Sequence, residues 1–197
     1  AVAAACIYGW ARAGRIREKL DAAPAVLLAL VQPYASVEEE MGWARPLEKM
    51  DRLLDLHRRA AAQGARLVVF PEAALPFIAW GGALGYRQVT PQDLRMSESL
   101  VRAVQDSGVP LVTGAVAIRG RNYTNSALAL YPVPARPAAG LSPGALLAGR
   151  YDKVGLLAFG ERLPFRPLLA FLERWIPPLG DGFLPGEGPV TFQAGEL

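Results

Sequence analysis

The chain has 197 residues, a net charge of +3, 52% hydrophobic and 20% charged residues. That is enough length and apolar content for one domain with a real core, and it excludes an intrinsically disordered chain. The small charge, with no basic stripe interleaved with aromatics, gives no nucleic-acid partner. Cys6 is the sole cysteine and His57 the sole histidine. No disulfide framework or Cys/His zinc cluster can be built from them, and no metal or cofactor is expected. A Ser–His–Asp triad would depend wholly on His57, which sits in Asp55-Leu56-His57-Arg58-Arg59 and is predicted as a solvated helix histidine.

Residues 1–11 (AVAAACIYGWA) are apolar and turn basic at Arg12, Arg15, Arg17 and Lys19. Eleven residues fall short of the roughly 20 that cross a bilayer. The segment reads either as a partner-facing or buried helix, or as the tail of a transmembrane helix with Tyr8 and Trp10 at the interface. Asp21 to Pro24 reads as a linker. The apolar run Ala25 to Val31 predicts a buried strand, and Gln32 to Gly42 an acidic loop. Leu47 to Ala62 predicts a helix with Leu47, Met50, Leu53, Leu54 and Leu56 near helical period, stopped by Gly64. Ala65 to Phe70 predicts a second buried strand ended by Pro71. Asp93 to Asp106 predicts a second helix with Leu94, Leu100, Val101 and Val104 on one side. Strands are expected at Pro110 to Ile118 and Tyr123 to Tyr131, joined by a hairpin-like turn, and again at Ala145 to Asp152. Leu163 to Trp175 reads as a short helix broken by prolines, Pro177 to Pro189 as a loop, and Val190 to Phe192 as the start of another strand. The order is that of a mixed α/β domain.

Two charged residues follow strands directly. Glu72 stands in Val69-Phe70-Pro71-Glu72-Ala73-Ala74-Leu75-Pro76, where the carboxyl end of a strand is a usual place for a site. Flanked by Phe70, Leu75 and Phe77, its carboxyl is expected to lose solvent and its pKa to rise, which suits a general base. The competing reading is a solvent-facing glutamate at a helix N-terminus. Lys153 stands in Gly149-Arg150-Tyr151-Asp152-Lys153-Val154; by itself it reads as well as a surface lysine. Glu161, eight residues on in Phe159-Gly160-Glu161-Arg162, could orient it.

VVFPEAALP followed by RYDKVGLLAFGERLPF resembles the nitrilase superfamily and, within it, the apolipoprotein N-acyltransferase family. That family follows its lysine with a PFGE element, matched here by Ala158-Phe159-Gly160-Glu161 with alanine in place of proline. Val31-Gln32-Pro33 and Asn122-Tyr123-Thr124-Asn125-Ser126-Ala127 resemble two further stretches, and Trp43 lies near where the family has a functional tryptophan. Tyr34 departs from the usual asparagine. The family's nucleophile motif, a cysteine followed by Tyr-Glu, is absent; Gly188 to Phe192 resembles the stretch leading into it, and Cys6 lies in the wrong chain order to replace it.

The resemblance implies an α-β-β-α sandwich, incomplete here, with residues 1–24 as the end of a transmembrane helix plus linker and residues 25–197 as the first part of the catalytic domain. It implies Glu72 as general base, Lys153 as oxyanion donor, Glu161 as support around the lysine, and Trp43 as a contact for acyl chain or lipid. Phe77 and Trp80 are weaker candidates for that contact. The implied reaction moves a phospholipid acyl chain, through a cysteine thioester, to the α-amine of a diacylglyceryl-cysteine lipoprotein. It implies a bacterial inner-membrane location with the catalytic domain facing the periplasm, and no turnover by residues 1–197 alone. Two alternatives stay open: a soluble carbon–nitrogen hydrolase with the same site, and a non-catalytic domain of this fold.

Overall fold

The structure, a computed structural model, describes residues 1–33, 45–76, 90–120, 122–132, 147–158, 160–162 and 183–192. The chain begins with helix α1 (Val2–Ala22), which runs without a break from the apolar segment through the basic one and buries no residue. Among the described residues no helix is long and apolar enough to cross a membrane.

Among the described residues five strands follow: β1 (Leu28–Leu30), β2 (Leu67–Val69), β3 (Leu111–Arg119), β4 (Asn122–Leu130) and β5 (Leu147–Asp152). They form one sheet in the order β1-β2-β3-β4-β5. The first three are parallel, and β3-β4-β5 are antiparallel neighbours. Helix α2 (Pro46–Ala62) joins β1 to β2, and α3 (Pro91–Ser107) joins β2 to β3. Both are crossovers between adjacent parallel strands added in the same direction. The right-handed rule therefore puts both helices on one face of the sheet.

The core lies between that helix pair and the sheet. Met50, Leu53 and Leu54 of α2 and Met96, Leu100 and Val104 of α3 are buried, with Val68, Leu111, Ala115, Leu128 and Leu130 beneath them. The spacing 96/100/104 makes a narrow stripe, which leaves Leu94, expected on the buried side, half exposed in the first turn. Leu47 is likewise half exposed. α3 starts two residues before its expected bound because Thr90 and Asp93 form a reciprocal capping box and Pro91 occupies the first turn. Gly108, at φ 66°, ends it.

His57 corrects the expectation of a solvated histidine, since only 1% of it is exposed. It stands seven residues after Met50, in phase with the buried stripe, and its ring meets Phe70 edge-on with centroids 6.3 Å apart. Ser107 Oγ donates to the Val104 carbonyl and accepts from Val109 N–H, so Nε2 is the donor to Ser107 Oγ at 3.0 Å. Nδ1 has no partner among the described residues, so none of their carboxylates orients this ring as a triad would require.

Val190 to Phe192 is not a strand; the Phe192 ring instead packs on the space above Gly149, which lacks a side chain. The segments expected at Gln32 to Gly42 and Leu163 to Trp175 lie largely or wholly outside the described residues.

Candidate functional site

The topology brings three distant pieces of sequence to one end of the sheet. Glu72 follows β2. β5 runs parallel to β3 and therefore to β2, so Lys153, which follows β5, leaves the sheet at the same end. β4 runs the opposite way, so its beginning, with Asn125, lies there too. Across the sheet Ala115 pairs Ser126 and Ser126 pairs Asp152. One step along, Lys153 N–H donates to the Asn125 carbonyl at 2.8 Å. Alternation then sends Asn125 and Lys153 to the sheet face opposite the helices.

Glu72 reaches this row because β3 has a glycine under it. The 71–76 turn folds over Gly114, whose N–H donates to the Pro71 carbonyl at 3.1 Å and whose carbonyl accepts from Leu75 N–H at 3.3 Å. Ala73, next to Glu72, has φ 49°, a left-handed backbone that costs a non-glycine residue on the order of 1 kcal/mol. The turn is therefore held by its surroundings, not by local preference. No helix begins at Glu72, which removes the helix-dipole reading.

Lys153 Nζ lies 2.8 Å from Glu72 Oε1 and 3.1 Å from Glu161 Oε2. Asn125 Nδ2 donates to Glu72 Oε1 at 2.5 Å and to Glu161 Oε1 at 2.6 Å. Glu161 is the most buried of the three charges, with 13% of its side chain exposed against 32% for Lys153 and 62% for Glu72. Leu157 N–H donates to Glu161 Oε2 at 2.8 Å, and Glu161 N–H returns to the Leu157 carbonyl at 2.8 Å. Glu161 thereby ties the 157–161 turn to the lysine. Glu72, Lys153 and Glu161, singled out from sequence, are thus brought into contact. Trp43, Phe77 and Trp80 lie outside the described residues.

Asn125 was not anticipated as a site residue. Its only sequence signal was its place in the stretch Asn122 to Ala127; what matters is that one amide nitrogen serves both carboxylates, which chain order does not reveal.

The electrostatics correct one expectation. Glu72 has its pKa held below the ordinary carboxylate range, not above it, first by the hydrogen bond from Lys153 and then by that from Asn125. Phe70 and Leu75, its chain neighbours, turn into the core and do not enclose the carboxyl. Lys153 is pushed up, chiefly by its hydrogen bond to Glu72, against burial, and further by Glu161. Burial raises Glu161, but the bonds from Leu157, Asn125 and Lys153 outweigh it and lower its pKa. At neutral pH both carboxylates are ionised and the lysine is charged.

This arrangement can move a proton and hold a developing anion. Glu72 Oε1 is occupied by two donors, and among the described residues Oε2 has none, so Oε2 is the oxygen available to take a proton. Lys153 has three N–H donors; one is directed to Glu72 and one to Glu161, which leaves one for an oxyanion. Among the described residues no group of three or more His, Cys, Asp or Glu side chains could hold a metal ion.

The profile of the carbon-nitrogen hydrolase family matches residues 27–194, and the chain belongs to that family. Similar proteins carry a more particular name. The apolipoprotein N-acyltransferase of Synechocystis sp. is 29% identical over 148 residues, covering 75% of this chain and 24% of that one. That of Nostoc sp. is 33% identical over 130 residues, covering 66% and 21%, and that of Chlorobaculum tepidum 29% over 172 residues, covering 78% and 28%. The chain therefore spans about a quarter of the length of these relatives. Among solved structures, an amidase from Nesterenkonia sp. superposes with a TM-score of 0.51 at 22% identity, covering 86% of this chain and 52% of that one. A variant of the Nesterenkonia AN1 amidase from the nitrilase superfamily gives 0.50 at 22%, with the same coverage. These bear out the mixed α/β nitrilase-type fold; the described residues supply one helix layer and one sheet of it.

Proposed function

We propose that the complete protein is an N-acyltransferase that moves a phospholipid acyl chain to the α-amine of diacylglyceryl-cysteine lipoproteins, with Glu72, Lys153 and Glu161 in its site. The observation that carries this reading is Lys153 Nζ at 2.8 Å from Glu72 and 3.1 Å from Glu161, with Asn125 joining the two carboxylates. The particular substrate class is supported by the name shared by the relatives and by the Phe159-Gly160-Glu161 element after the lysine.

In this reading the nucleophile is a cysteine that follows Leu197 in the complete protein; Cys6 is exposed on α1. Glu72 Oε2 accepts the thiol proton, and the thiolate attacks the ester carbonyl of the phospholipid. The remaining N–H of Lys153 donates to the tetrahedral oxyanion. Collapse breaks the C–O ester bond, and the lysophospholipid alkoxide takes the proton back from Glu72. The lipoprotein amine then attacks the thioester, Glu72 takes its proton, and the C–S bond breaks to return the thiol and the N-acylated product. A carboxylate with a lowered pKa is a weak base, so the lysine charge must stabilise the thiolate for the transfer to run.

Residues 1–24 belong in this account to the end of a membrane helix and its linker, residues 25–197 to the catalytic domain. The domain faces the periplasm at the bacterial inner membrane, and Trp43 meets acyl chain or lipid. No metal or cofactor takes part.

The test presents the complete protein with phospholipid vesicles and a diacylglyceryl-cysteine peptide, and separately with small aliphatic amides. Transfer of the acyl chain to the peptide amine is expected. Release of ammonia from the amides without acyl transfer would replace this reading with the soluble carbon–nitrogen hydrolase.

A further inference from the structure

Alternation along the strands sends Asn125 and Lys153 to one face of the sheet and their neighbours Ser126 and Asp152 to the other. On that other face Asp152 Oδ1 accepts from Ser126 Oγ at 2.6 Å and Arg150 Nε at 2.7 Å, and Oδ2 accepts from Arg119 at 3.4 Å. Arg150 is itself fixed by donating to Thr124 Oγ1 at 2.7 Å and to the Ile118 carbonyl at 3.2 Å. Burial raises the Asp152 pKa, but the bonds from Arg150 and Ser126 and the charges of both arginines outweigh it and keep the carboxyl ionised.

The second arm of the Arg119 guanidinium donates to the Pro185 carbonyl at 2.6 Å. Pro185 belongs to a strap that crosses the strand ends. Phe183 N–H donates to the Glu161 carbonyl at 3.0 Å, Leu184 N–H to the Tyr123 carbonyl at 2.8 Å, and Gly186 N–H to the Lys153 carbonyl at 3.0 Å. Two of these three carbonyls belong to charged residues of the site. Gly186 also packs so closely that a Cβ there would strike the Asp152 carbonyl oxygen. Arg119 thus joins the charged cluster behind the sheet to the strap that holds the lysine and the second glutamate.

We propose that Arg119 and Asp152 are positioning residues: the Arg119 guanidinium, bridging the Asp152 carboxylate and the Pro185 carbonyl, fixes the Phe183–Gly186 strap and through it the placement of Lys153 and Glu161 against Glu72. A planar fork can span two oxygens in fixed directions, whereas a lysine offers one point charge. Arg119 is partly exposed, and ion pairs at such sites add little to stability. Its effect therefore falls on geometry more than on folding.

The inference rests on Lys153 and Glu161 as the acyl-transfer site, so one arm of its test needs no turnover. In the complete protein, Lys153 is labelled with a water-soluble amine-reactive ester and quantified by peptide mass spectrometry, with Lys19 and Lys49 as references in the same digest. Held by two carboxylates, Lys153 reacts slowly. Arg119→Met is expected to speed its labelling several-fold and leave the references unchanged, with Arg119→Lys in between. Leu100→Ala, a core change with at least as large a loss of melting temperature, is expected to leave Lys153 at the wild-type rate. Wild-type labelling in Arg119→Met, or equal acceleration in Leu100→Ala, overturns the positioning role. The second arm follows acyl-thioester formation against pH. Arg119→Met moves its acid limb to higher pH, because Glu72 loses part of the lysine contact that keeps it ionised; an unmoved limb counts against the role. Wild-type protein that forms no thioester defeats the acyl-transfer reading, and the labelling arm then decides the positioning by itself. If Arg119→Met does not fold, Asp152→Asn takes its place in both arms with the same expected outcomes.

Discussion

Replacing Gly114 with alanine tests how Glu72 is placed. A Cβ at this position would lie 2.5 Å from the Pro71 carbonyl oxygen and 2.6 Å from both Ala73 N and Glu72 Cα. All three atoms are backbone, so no side chain can swing away. Ordinary contact begins near 3.4 Å, and the turn must therefore separate from β3 by about 0.9 Å. The two hydrogen bonds across that gap, at 3.1 and 3.3 Å, go out of range. Their loss costs about 1 kcal/mol each, and the overpacking about 1–3 kcal/mol more. Alanine recovers roughly 0.4–1 kcal/mol by restricting the unfolded chain. The net expectation is a loss of about 2–5 kcal/mol in urea unfolding. A displacement of about 1 Å in a reacting group costs on the order of 10²-fold in rate. Acyl-enzyme formation by the folded variant of the complete protein should fall by that order. A variant with wild-type unfolding midpoint and wild-type acylation rate would show that close backbone approach over Gly114 does not place Glu72.

Asn125→Ala removes a donor from both Glu72 and Glu161, so both carboxyl groups titrate at higher pH. The acid limb of the pH–rate profile should move up, and an unmoved limb would show that the amide does not govern the carboxylates. For His57, burial lowers the imidazole pKa, so the unfolded chain holds the proton more tightly than the folded one. The stability it contributes is complete above the ordinary imidazole range and is lost as pH falls through that range toward the lowered folded value. Urea midpoints across that window should fall in the wild type and fall less in His57→Leu. Leu100→Ala deletes a fully buried side chain of α3 and should cost about 2–5 kcal/mol, read from the same unfolding curves.

The order of strands and helices was legible because apolar runs bounded by Gly64, Pro71 and Gly108 carry local information that survives folding. The meeting of Glu72, Lys153 and Glu161 was legible only through resemblance, since no local pattern joins residues 81 positions apart. The direction of the Glu72 pKa was misread for a physical reason: its chain neighbours Phe70 and Leu75 are apolar but face the core, while its spatial neighbours Asn125 and Lys153 are donors. His57 was misread because its arginine neighbours are exposed, although its spacing from Met50 already placed it on the buried stripe. The roles of Gly114 and of the Phe183–Gly186 strap depend on backbone approach between distant segments, which residue type alone does not express.

In the proposed reaction Glu72 and Lys153 drive acyl transfer through a downstream cysteine. The most direct test is the intact mass of the complete protein after exposure to phospholipid. The wild type should gain one acyl chain as a hydroxylamine-labile thioester, and Glu72→Gln and Lys153→Met should gain none. Acylation of either variant at the wild-type level would remove that residue from the chemistry and contradict the account.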